Sequence, residues 1–139
     1  KRDWFVPFAP SGLEAALGRY LVDYVPEPFM TKAFLVRDEY RLRLPAVTHV
    51  DGTARPQGVV RETNPLYADL LAAFERRTGV PILLNTSFNR QEPVVNAPEQ
   101  AISCYLRTDM DRLVLGNYYV SDRNQGAIDR AIASFKKAA

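Results

Sequence analysis

Apolar positions along this chain alternate between a helical period and short continuous runs. Leu13, Ala16, Leu17, Tyr20, Leu21 and Tyr24 recur at the three- and four-residue intervals of one helix face. Ser11 and Glu14 precede them as an S-x-x-E capping box, so the pattern predicts a first helix of about three turns. Pro26 and Pro28 interrupt it. Short apolar stretches at 33–36, 46–50 and 58–60 predict strands, with the turn-forming Asp51-Gly52 between the last two, suited to a hairpin or a ligand loop. A second helix is marked by Asn64 as its cap, Pro65 at its first position and Gly79 at its end. Leu66, Tyr67, Leu70, Leu71 and Phe74 line its predicted inner face.

The run 80–84 reads as a strand buried on both faces, with Pro81 tolerated near its start. Asn96 and Glu99 predict a capping box for a third helix carrying Ile102, Tyr105 and Leu106. Strands are expected at 113–115 and 118–120 around a Gly116-Asn117 turn. A final helix is expected from Ser121 or Asp122, with Ile128, Ala131, Ile132 and Phe135 inward. Helices alternating with short strands define the fold class as α/β, a mixed sheet flanked by helices.

Composition narrows the functional classes. The 139 residues match one domain, and 47% hydrophobic with 24% charged residues describes a folded globular protein. A formal net charge of +2 argues against a dedicated nucleic-acid binder. Cys104 and His49 are the sole cysteine and histidine, which excludes an intrachain disulfide and a Cys/His zinc site. Cys104 is expected buried and inert, and a reducing cytoplasm suits it. No apolar run approaches the ~20 residues of a membrane span, so no membrane partner is expected. Asp109 and Asp111 bound a loop, and Arg76 and Arg77 suit the carboxyl end of the second helix.

Two segments carry candidate chemistry. The apolar run to Leu84 passes directly into Asn85, Thr86, Ser87 and Asn89, four small polar side chains within five positions. Ligands of open α/β sheets bind beyond the carboxyl ends of strands, where such groups can donate to phosphate oxygens. The same residues could equally satisfy the backbone of a strand-to-loop turn. In the segment from His49 to Arg55, Gly52 permits unusual backbone geometry and Thr53 supplies a hydroxyl. Arg55 supplies a planar cation matched to phosphate or carboxylate. A solvated surface hairpin is the plainer alternative. His49 with Asp51 could form an acid/base pair, but a lone histidine is more often a packed or capping residue.

Several segments together resemble one family. Lys1-Arg2-Asp3-Trp4-Phe5-Val6-Pro7-Phe8-Ala9-Pro10 is similar to the entry segment of the YrdC-like C-terminal domain of O-carbamoyltransferases that decorate antibiotics and nodulation factors. Pro28-Phe29-Met30, Pro45 to Arg55, Thr78 to Asn89, Glu92-Pro93-Val94-Val95 and Leu113 to Gly116 follow in family order. His49-Val50-Asp51-Gly52-Thr53-Ala54-Arg55 and Leu83-Leu84-Asn85-Thr86-Ser87-Phe88-Asn89 are the most specific matches.

The resemblance implies that residues 1–139 are a partial YrdC-like domain. An actin/Hsp70-like N-terminal domain, holding Fe2+ or a similar metal, would be absent. It also implies formation of carbamoyl-adenylate from carbamoyl phosphate and ATP with Mg2+. The carbamoyl group would then pass to a hydroxyl of a small-molecule acceptor. Ser87 and Asn89 match the family's S-x-N motif, and Arg2 matches the arginine of its K-x-R motif, whose lysine would fall just before residue 1. Val6 departs from an arginine found in many relatives, which bears on phosphate binding. By this resemblance Arg55, Ser87 and Asn89 are the catalytic candidates; Arg2, Thr53, Asn85 and Thr86 are the substrate- and nucleotide-binding ones. By the resemblance Met30 could line the adenine pocket, although a core methionine is the plainer reading. Two other classes stay open: a YrdC-like RNA-binding or tRNA-modification domain, and a non-catalytic interaction module.

Overall fold

Ser11, expected to cap a helix, lies instead inside a strand. The computed structural model describes residues 8–121 and the isolated positions Asn124, Gly126, Asp129, Arg130 and Ala133. Of the expected final helix, Gly126, Asp129, Arg130 and Ala133 are described and are helical, while its expected inward residues Ile128, Ala131, Ile132 and Phe135 fall outside the described residues, as do Arg2 and Val6. Strand β1 (Ala9–Leu13) is the central strand of a three-stranded sheet. It pairs in parallel with β4 (Gln57–Val59) and antiparallel with β5 (Ile82–Asn85), so the sheet is mixed. Helices flank it, and the chain is an α/β structure. Two strand partners hold Ser11 extended, and α1 (Glu14–Leu17) is a single turn with no side-chain cap. Leu21 bridges to Val36, which pulls the chain out of helix where the apolar period alone would continue it.

The chain forms two compact units, Lys1–Thr86 and Ser87–Ala139. In the first, β2 (Phe34–Leu35) pairs antiparallel with β3 (Thr53–Ala54), and α2 (Asp38–Arg41) lies between them in sequence. The strand expected at 46–50 is absent. Those residues coil instead, with the Thr48 amide and hydroxyl both donating to the Leu44 carbonyl at 3.1 and 2.8 Å. A core of Leu17, Tyr20, Leu21, Val36, Val47 and Ile82, with neighbours, sits beneath.

Helix α3 (Pro65–Thr78) follows its sequence signals closely. Asn64 accepts from the Tyr67 amide at 3.2 Å, Pro65 opens the helix, and Gly79 ends it at φ 75°. Its buried face is rotated from the expected one. Ala68 and Leu71 are buried, whereas Leu66 and Leu70 are 80% and 54% exposed. The small Ala68 lets the helix approach Val59 closely. β5 is likewise an edge strand and not one buried on both faces, since Leu84 is 41% exposed.

In the second unit α4 (Pro98–Leu106) buries Ile102, Cys104 and Tyr105. The Asn96/Glu99 capping box is not formed. Ala97 occupies the cap position, and Gln100 accepts from the Asn96 amide at 3.0 Å. Strands β6 (Leu113–Leu115) and β7 (Tyr118–Val120) form the expected hairpin. Gly116 at φ 57° is the first residue of its two-residue turn, the position where type II′ requires glycine. No helix among the described residues is long and apolar enough to cross a membrane.

Candidate functional site

The two segments singled out in sequence fall on different units. On the first unit, residues 49–55 make a tight turn entering β3. The His49 amide donates to the Thr53 carbonyl at 2.7 Å, and the Gly52 amide to the His49 carbonyl at 2.9 Å. Asp51 stiffens this turn by accepting from the Thr53 amide at 2.9 Å and the Thr53 hydroxyl at 2.7 Å. The Thr53 hydroxyl holds the Asp51 carboxyl below its ordinary range, helped by the Thr53 amide and more weakly by His49.

Because the Thr53 proton goes to Asp51, the contact of 3.1 Å between His49 Nδ1 and Thr53 Oγ1 requires His49 to donate from Nδ1. His49 and Asp51 therefore meet through Thr53. Thr53 has no proton left for a ligand unless it gives up Asp51.

Gly52 has φ 81°, and a Cβ there would lie 2.8 Å from an Arg41 guanidinium nitrogen. Arg41 is anchored by its Nε to the Val36 carbonyl at 3.2 Å and by an ion pair with Asp38 at 2.9 Å. A second guanidinium thus packs beside the turn that leads to Arg55. Sequence reading missed Arg41, because nothing local to α2 signals that it packs on this turn. Gly52→Ala is expected to cost about 1–2 kcal/mol of folding stability through the left-handed backbone alone, with displacement of Arg41 in addition. The midpoint shift in urea measures it. Arg55 itself is exposed and makes no hydrogen bond or ion pair among the described residues.

Asn85 ends β5 in the three-stranded sheet, a different sheet from the β2–β3 pair that the first turn enters. Its Nδ2 donates to Ser11 Oγ and, at 3.1 Å, to Gln57 Oε1; its Oδ1 accepts from the Tyr67 hydroxyl at 3.0 Å. Ser11, fully buried, also donates to Gln57 Oε1 at 2.9 Å. One carboxamide therefore ties all three strands and α3 together where β5 runs into the polar loop. Both Nδ2 protons are committed to this network. Sequence reading did not foresee Ser11, Gln57 and Tyr67 as its partners, since they come from three distant segments.

On the second unit Ser87 is exposed and its hydroxyl has no partner among the described residues. Thr86, the last residue of the first unit, is exposed. Asn89 is half-buried and donates from Nδ2 to the Glu92 carbonyl at 2.7 Å, leaving Oδ1 without a described protein partner. The Val95 amide donates to the Phe88 carbonyl at 3.0 Å, closing the loop on itself. Arg90, directly after the Ser87-Phe88-Asn89 string, is exposed and its guanidinium has no described partner, a cation the sequence reading also passed over.

The Gln91 amide, at 3.0 Å, leads the backbone donors that hold the Glu92 carboxyl at about 2, with a smaller contribution from Arg107 at 2.8 Å. A carboxyl lowered in the folded state stabilises it above its ordinary 4.5, and that contribution fades as pH falls toward 2. Loop 88–95 is therefore expected to open between those values, and Glu92→Gln should flatten this dependence. Amide exchange in the loop, followed against pH, checks it.

Burial pushes the Cys104 thiol up, which makes it unreactive as expected. No three His, Cys, Asp or Glu side chains converge as a metal site among the described residues.

Residues 1–122 of the chain match the family model described as "Carbamoyltransferase C-terminus". The chain belongs to that family. It is 47% identical over 133 residues to nodulation protein NolNO of Sinorhizobium fredii, covering 93% of this chain and 20% of that protein. It is 48% identical over 127 residues to nodulation protein NolO of Bradyrhizobium diazoefficiens, covering 88% of this chain and 23% of that protein. Nodulation protein U of Rhizobium tropici is 38% identical over 88 residues, 63% of this chain and 15% of that protein. The chain thus spans a quarter or less of the length of these curated relatives.

Proposed function

We propose that this chain is the C-terminal part of a longer ATP-dependent O-carbamoyltransferase and contributes to the formation of carbamoyl-adenylate. Family membership and the relatives' greater length support the first half of this reading. The second half is carried by one observation: the guanidinium of Arg55 and the hydroxyl of Ser87 are exposed and uncommitted, while the side chains that position their turns are fully engaged.

In the proposed sequence, water releases phosphate from carbamoyl phosphate and leaves carbamate. A carbamate oxygen attacks the α-phosphorus of ATP, and pyrophosphate departs. An acceptor hydroxyl then attacks the carbamoyl carbon in the metal-holding remainder of the polypeptide, releasing AMP. Negative charge grows on phosphoryl oxygens in the middle step, so positioned cations and donors do the catalytic work. Arg55 would meet phosphate or carbamate charge, and Ser87 and Asn89 the nucleotide phosphates that arrive with Mg2+. Arg2 and Thr86 are assigned to binding the same substrates, and Thr53 would join them by giving up its hydroxyl bond to Asp51. Asn85 would hold the loop in place, as its saturated hydrogen bonding suits. A cytoplasmic enzyme acting on a small-molecule hydroxyl is the setting this reading favours.

Calorimetry on the full-length protein tests the nucleotide assignment. ATP with Mg2+ is expected to bind, and Ser87→Ala to weaken it by about tenfold, the worth of one hydrogen bond to a charged group. Absence of ATP binding, or an unchanged affinity in Ser87→Ala, refutes the assignment.

A further inference from the structure

We propose that the open edge of β5, with the apolar groove beside it, takes up an extended segment from the remainder of the same polypeptide as an added strand. The direction of the backbone groups is the first argument. Ala9 pairs with Asn85 and Ser11 with Leu83, and the Leu13 amide donates to the Pro81 carbonyl at 3.2 Å. That last bond places the odd-numbered residues of β1 with their amides toward β5, and in an antiparallel ladder residues 81, 83 and 85 reciprocate. Ile82 and Leu84 therefore turn their N–H and C=O groups the other way, to the side where the described residues supply no strand. Neither makes a backbone hydrogen bond there.

The opposite edge of the sheet differs. On β4 the Gly58 amide donates to the Glu27 carbonyl at 2.7 Å, and the Gln57 side chain to the Pro28 carbonyl at 3.3 Å, so that edge is covered. Exposed edges are ordinarily blunted by charge, proline or a bulge. The edge of β5 carries Leu84 instead, and it opens on a cleft of about 410 Å³ lined by Leu44, Pro45, Val47, Phe74 and Val80. Arg43 also lines the cleft and has no side-chain hydrogen bond or ion pair among the described residues. The chemistry is that of strand addition. Backbone bonds to Ile82 and Leu84 hold an extended segment, alternate apolar side chains enter the cleft, and a carboxylate on the segment meets Arg43.

The occupant follows from size. A four-residue edge buries far less than the ~1,600 Å² of an ordinary stable interface between separate molecules, so a second copy or a free partner would be held weakly. A tethered segment needs no such area, because the linkage supplies an effective concentration in the millimolar range (order of magnitude). Relatives matched over 20–23% of their length carry ample chain to provide it. This inference rests on the reading of the chain as part of a longer enzyme, and not on the adenylation chemistry.

Amide hydrogen exchange on the full-length protein tests it with no reference to activity. The Ile82 and Leu84 amides are expected to exchange roughly 100-fold or more slowly than in an unstructured chain, independently of protein concentration. Leu84→Pro removes an outward N–H and spares the ladder to β1, so it should be tolerated at an open edge and should lower the melting temperature at a paired one. Fast exchange at both amides with a tolerated Leu84→Pro overturns the proposal. So does protection that disappears on dilution, which would indicate a second copy. Protected amides in a protein that fails to bind ATP would leave this inference standing and remove the adenylation reading alone.

Discussion

Arg55→Ala in the full-length protein is expected to lower kcat/KM for pyrophosphate release by about 10- to 100-fold, since a hydrogen bond to a charged group is worth about 1.5–3 kcal/mol. Arg55 is exposed and has no described partner, so the substitution removes no internal bond and should leave the melting temperature nearly unchanged. That pairing of results separates a role toward substrate from a structural one. Arg55→Lys keeps the charge and loses the planar fork, so it should recover only part of the activity. Loss confined to KM would indicate ground-state binding, and loss in kcat would indicate charge met in the transition state.

Asn85→Ala is expected to have the largest effect on stability, about 3 kcal/mol, because an orphaned buried donor or acceptor costs about 1–3 kcal/mol and more than one group loses a partner. The Tyr67 hydroxyl loses its acceptor, and Gln57 Oε1 loses one of its two donors beside fully buried Ser11. Asn85→Asp should do no better. A carboxylate still accepts from Tyr67 but cannot donate to Gln57 Oε1, and two acceptor oxygens would then face each other. Thermal unfolding of the full-length protein measures both variants, and wild-type melting in either would contradict the network.

What could be read in advance depended on how local the determining forces are. α3 was legible because Asn64, Pro65 and Gly79 act within one turn of the helix ends. The Gly116 turn was legible for the same reason. Ser11 was misread because its capping motif is local, whereas the two strands that claim it lie more than forty residues away. The inner face of α3 was misjudged because closeness to the sheet favours small Ala68 over the larger Leu66.

The candidate site divides along the same line. Asp51, Gly52 and Thr53 form a turn whose spacing announced it. Arg41 against Gly52, and Ser11, Gln57 and Tyr67 around Asn85, come together only in the folded chain. Arg2 lies outside the described residues, so its place rests on the resemblance alone.

The central claim is that Arg55 and Ser87 serve one adenylate-forming reaction, and isotope exchange between pyrophosphate and ATP tests it most directly. The full-length protein with Mg2+ should exchange label into ATP only when carbamoyl phosphate is present, and both Arg55→Ala and Ser87→Ala should depress that exchange. Exchange that ignores carbamoyl phosphate, or that persists at the wild-type rate in both variants, would contradict it.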